Sequence, residues 1–85
     1  MIQKKLTVTM TNGINARSGS IIAEESHQFS SDVFLEYQNK KVNLKSIMGV
    51  LSLGLNKGDE VLITLDGENE KEELAFFEKL FKEME

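Results

Sequence analysis

Polar and apolar residues alternate at the start of the chain. Ile2, Leu6, Val8 and Met10 fall on one side and Gln3, Lys5, Thr7 and Thr9 on the other, which predicts a half-buried strand over residues 2–10 broken only by Lys4. Thr11-Asn12-Gly13 then supplies turn chemistry. From there the period changes: Gly19, Ile22, Ala23 and Ser26 recur at spacings of three and four, one face of a helix over 16–28 with Asn15 as its N-cap. Gly19 inside that helix costs ~1 kcal/mol relative to alanine, so packing must hold it.

Asp32-Val33-Phe34-Leu35-Glu36-Tyr37 is rich in β-branched and aromatic residues, and Gln38-Asn39 separates it from Lys40-Lys41-Val42-Asn43, which together predict a tight hairpin. Ser46 precedes the apolar run Ile47-Met48-Gly49-Val50-Leu51, and Gly54 follows it; serine is a strong N-cap and glycine a common helix stop. Residues 59–66 alternate again, with Val61, Ile63 and Leu65 on one face. Asn69 with Glu72 three residues on reads as a capping box. Leu74, Phe77, Leu80, Phe81 and Met84 then form an apolar stripe at helical spacing, the mark of core. The order strand, helix, strand, strand, helix, strand, helix predicts an α+β fold, with one four-stranded antiparallel sheet and three helices on one face.

Eighty-five residues are expected to make one domain, 1–85. The chain has no cysteine, hence neither a disulfide framework nor a thiolate metal site, in keeping with a reducing cytoplasm. No apolar run approaches the ~20 residues of a membrane span, so no membrane partner is expected. The formal charge of −4 is unevenly spread. Residues 1–57 hold seven Lys/Arg against four Asp/Glu, and residues 58–85 hold three against ten. A net-acidic chain with one arginine predicts no direct nucleic-acid binding.

Candidate chemistry gathers at Ser46. A phosphoryl group at an N-cap meets backbone N–H donors and a favourable dipole, with Lys45 adjacent and Lys40 and Lys41 upstream; without modification Ser46 is an ordinary cap. The sole histidine, His27, falls near the end of the first helix, where a cation suits the dipole and no N-terminal amides await a phosphate. No metal-ligand spacing, nucleophile elbow, phosphate-binding glycine loop or carboxylate pair stands out, so neither an enzyme nor a bound cofactor or metal is expected.

Two segments, Thr11-Asn12-Gly13-Ile14-Asn15-Ala16-Arg17 and Lys40 through Gly54, resemble the active-centre and regulatory-serine motifs of HPr, the histidine-containing phosphocarrier family of the bacterial sugar phosphotransferase system (PTS). The resemblance spans the chain's length and element order and implies an open-faced β-sandwich with sheet order 1, 4, 2, 3. The family's first motif runs glycine, apolar, histidine, alanine, arginine, proline. Here Asn15 stands at the histidine position and Ser18 at the proline position. An amide neither titrates nor attacks phosphorus, so the relay's phosphohistidine cannot form there. Loss of the histidine with retention of the serine motif is the pattern of the Crh-like members, the catabolite-repression HPr proteins, in which glutamine occupies that position.

The resemblance implies phosphorylation of Ser46 by HPr kinase/phosphorylase, followed by service as corepressor for the catabolite control repressor. It implies that Ile47, Met48 and Leu51 form the docking patch, with Arg17 and Asn15 beside it; on an ordinary short helix the three apolar residues would be core. It also admits a strand-swapped homodimer. Two other functions compete with this one: a phosphotransfer component using His27 or an unrecognised acceptor, and a diverged paralogue that docks constitutively and is never phosphorylated.

Overall fold

The computed structural model describes residues 1–84. Seven elements follow one another: β1 (Ile2–Thr7), α1 (Ala16–Ser26), β2 (Asp32–Tyr37), β3 (Lys40–Asn43), α2 (Ile47–Leu51), β4 (Glu60–Asp66) and α3 (Glu70–Glu83). The strands form one antiparallel sheet in the order β1-β4-β2-β3, as the resemblance implies. Register follows the alternation. Leu6 opposes Val61, and Val33 and Leu35 oppose Leu65 and Ile63. These side chains share the buried face with Ile22 of α1, Val50 of α2 and Leu74, Phe77 and Phe81 of α3. The other face carries Gln3, Lys5, Phe34, Glu36 and Leu62 and is open, so the sandwich has helices on one side only.

Three local expectations need correction. The first strand ends at Thr7 rather than Met10. Its alternation persists because Val8 and Met10 stay buried, but Val8 N–H now bonds Asp59 O at 2.8 Å, outside the ladder to β4. Helix α1 ends at Ser26 rather than residue 28: Gln28 and Phe29 N–H reach Glu25 O and Ser26 O, the tighter i→i−3 pattern of a closing turn. The Asn69 capping box does not form. Asn69 has ψ 24, off the extended backbone that aims an N-cap side chain at the first turn, and its amide caps nothing. Glu70, Glu72 and Glu73 instead complement the helix dipole, and Glu70 Oε2 accepts from Gly67 N–H at 3.3 Å. In the apolar stripe of α3, Leu74, Phe77 and Phe81 are buried, while Leu80 and Met84 pack at the edge of the core.

The hairpin turn places both Gln38 (φ 48) and Asn39 (φ 67) in the left-handed region that a two-residue primed turn demands. Glutamine suits it poorly. Replacing Gln38-Asn39 by Asn-Gly is expected to stabilise the fold by about 1 kcal/mol, seen as a rise in Tm of about 4–8 °C; an unchanged or lower Tm would show that the present turn is unstrained.

Candidate functional site

The first corner is built by the loop before α1. Gly13 (φ +66) turns the chain, its N–H bonding Met10 O at 2.9 Å, and Ile14 N–H docks on Leu55 O at 3.0 Å. Asn15 then sits at the N-cap with extended backbone. Its Oδ1 accepts from Arg17 N–H at 3.0 Å and Ser18 N–H at 3.1 Å, and Ser18 Oγ accepts from Asn15 N–H at 3.0 Å. This is a reciprocal capping box, and it lies here rather than at Asn69. Ser18, which departs from the proline of the resembled motif, therefore holds the helix start by hydrogen bonding where a proline would hold it by ring geometry.

The chemical consequence is that Asn15 has a spoken-for oxygen and a nitrogen that neither titrates nor attacks. Arg17 is exposed, and none of the ion pairs among the described residues uses it. It lines a shallow cleft with Asn12, Asn15, Ser18, Ile21 and Met84.

The second corner is Ser46. Lys45 N–H bonds Asn43 Oδ1 and Ser46 N–H bonds Asn43 O, so the end of β3 aims the serine into the first turn of α2. Ser46 Oγ accepts from Gly49 N–H at 3.1 Å. A Cβ at Gly49 would crowd that approach, lying 3.3 Å from both Ser46 Oγ and Val42 Cβ. The hydroxyl is exposed and keeps its proton and a lone pair for chemistry. Helix α2 runs only from Ile47 to Leu51; the chain passes through Ser52 and turns at Gly54 (φ +59). Of its side chains only Val50 is buried. Ile47 is 42% and Met48 77% exposed, whereas Leu51 is half-buried and leans on α1, where a Cβ at Gly19 would come within 3.3 Å of it.

The neighbouring lysines do not converge on Ser46. Lys45 Nζ donates to Phe29 O at 3.1 Å, Lys40 Nζ to Ser52 O at the far end of α2, and Lys41 Nζ lies 4.8 Å from the Phe34 ring centroid. What faces Ser46 is α1. A cleft of about 330 Å³ is lined by Ser20, Ala23, Glu24 and His27 on one side and Lys45, Ser46, Ile47 and Met48 on the other.

Sequence reasoning missed Ile21 and the facing of His27 toward the Ser46 cleft, although the helix face of each was within reach. Ile21 is four residues after Arg17 and shares its face, and Ser20, Ala23, Glu24 and His27 fall at i, i+3, i+4 and i+7. His27 is the exposed C-cap of α1, as its position near the helix end predicts.

Residues 2–83 match the family described as the PTS HPr component phosphorylation site. The chain belongs to the HPr family. Among its relatives, the HPr-like protein Crh of Bacillus subtilis is 46% identical over 74 residues, 87% of each chain. Among solved structures, HPr-C-His from Thermoanaerobacter tengcongensis superposes with a TM-score of 0.91 at 33% identity, covering 96% of this chain and 92% of that one. The crystal structure of Bacillus subtilis Crh, described as a catabolite repression protein with a swapping-domain dimer, gives a TM-score of 0.77 at 42% identity, over 98% of this chain and 95% of that one. The HPr fold thus carries Asn15 at the head of α1 and Ser46 at the head of α2. No helix among the described residues is long and apolar enough to cross a membrane.

Proposed function

We propose that this chain is a non-catalytic, single-domain, cytoplasmic regulator of carbon catabolite repression. HPr kinase/phosphorylase modifies Ser46, and the modified chain serves as corepressor of the catabolite control repressor without PTS phosphocarrier activity at position 15. One contrast carries the reading: at the head of α1 the side chain is an amide locked into a capping box, while at the head of α2 it is an exposed hydroxyl. In the kinase reaction Ser46 Oγ attacks the γ-phosphorus of ATP, the hydroxyl proton passes to a base on the kinase, and ADP leaves. Exposed Ile47 and Met48 offer apolar contact beside the new charge, and exposed Ile21 and Arg17 on α1 add an apolar side chain and a cation to the docking surface. The dimeric relative supports a homodimer as a second state of this chain, although here β1 pairs with β4 of its own chain.

The deciding experiment is intact mass after incubation with HPr kinase/phosphorylase and ATP. A gain of one phosphoryl group, lost in Ser46→Ala, supports the reading, whereas an unmodified chain that still binds the repressor favours constitutive docking. A second expectation concerns position 15. With phosphoenolpyruvate and enzyme I, labelled phosphate is expected to stay off the protein entirely, because no imidazole is available at Asn15. Acid-labile, base-stable label on the chain would contradict this.

A further inference from the structure

His27, the sole histidine of the chain, lines the same cleft as Ser46 although the two belong to different helices. We propose that, once Ser46 is phosphorylated, His27 becomes the proton-linked partner of the phosphate across the α1–α2 cleft, so that a fall in pH forms a phosphate–imidazolium pair on the modified surface and a rise in pH leaves the phosphate unpaired. This deepens the proposed role of Ser46 and rests on it.

The charged groups on both walls of the cleft decide the balance. On α1, Glu24 stands one turn before His27 on the same wall of the cleft, and His27 is the C-cap of the helix. On the opposite wall the only cation is Lys45, whose ammonium is held at 3.1 Å from Phe29 O, past the end of α1. A phosphoryl group on Ser46 adds a charge of about −1.5 to −2, more than Lys45 offsets. It repels Glu24 and attracts His27. Ser20 and Ala23, also on the α1 wall, are small and uncharged and so add no competing charge.

The test does not depend on the kinase, because phosphoserine can be installed at position 46 during translation. Imidazole proton and ³¹P signals are then titrated by NMR in the phosphorylated and unmodified chains. The proton affinity of His27 is expected to be about threefold or more higher in the phosphorylated chain, with the second ionisation of the phosphate moving to lower pH in step and both effects shrinking in high salt. His27→Gln should cancel the phosphate's shift while leaving the Gly49 amide signal in place. Identical His27 titrations with and without the phosphate would overturn the proposal. A chain that the kinase ignores but that shows the coupling would instead count against the assigned kinase alone.

Discussion

Gly13→Ala is expected to destabilise the protein by about 3 kcal/mol or more, the sum of a left-handed backbone that alanine disfavours and a steric overlap that cannot relax. The added Cβ would press on Leu55 O and lie 2.8 Å from Asn56 Cα. Both neighbours are backbone, so no rotamer change relieves the contact. Moving that backbone would also break Ile14 N–H to Leu55 O, the bond that seats the loop ahead of Asn15. Gly54 and Gly58 provide the control, because they share the positive φ (+59 and +95) but have open space where a Cβ would go. Alanine there should cost only the conformational part, about 1–2 kcal/mol. Urea unfolding of the three variants separates the contributions. If Gly13→Ala were no worse than Gly54→Ala, the close approach of the two loops would be wrong. The amide signals of Asn15, Arg17 and Ser18 should move only in Gly13→Ala, since that substitution displaces the loop that seats them.

The sheet was legible in the sequence because alternation is enforced twice over, by the pleat and by a single wet face. Val61, Ile63 and Leu65 have no other way to share a core with Val33 and Leu35. Helix starts were less legible, because a cap needs backbone geometry as well as residue type. Asn69-x-x-Glu72 has the letters of a capping box without the extended N-cap conformation; Asn15-x-x-Ser18 has the conformation and the reciprocal bonds, but with serine where the pattern carries Glu or Gln. Lysine placement was beyond sequence reasoning for a different reason. Lys45 adjoins Ser46 in the chain but its long flexible stem finds Phe29 O, a partner sixteen residues away that only the tertiary fold supplies. His27 shows the opposite case: its face of α1 was readable, but nothing in the sequence said that α2 would pack across from it.

Phosphorylation of Ser46 is expected to raise affinity for the repressor tenfold or more while leaving the fold in place, a gain that a single charge-assisted hydrogen bond of about 1.5–3 kcal/mol suffices to give. The new charge arrives at an N-cap, where the Gly49 amide and the α2 dipole favour it, so the modification has no reason to melt the helix. Its reach is short, because α2 has five residues and buries only Val50. Backbone NMR shifts should therefore stay within the end of β3, α2 and the facing turn of α1. Ser46→Ala should lose modification and the gain in affinity together, at a stability cost of about 1 kcal/mol for the missing cap. Ser46→Asp should keep the cap yet recover little affinity, since a carboxylate has one charge and fewer acceptor oxygens than a phosphate. Met48→Ala tests the apolar half of the surface: a side chain 77% exposed contributes little to the fold, so a loss of repressor binding at unchanged Tm would place its contribution in the complex. Equal affinities of modified and unmodified chains would identify a constitutive docking protein, and shifts spreading through β1 and β4 would mean that the charge acts by rearranging the sheet rather than by recolouring one corner of it.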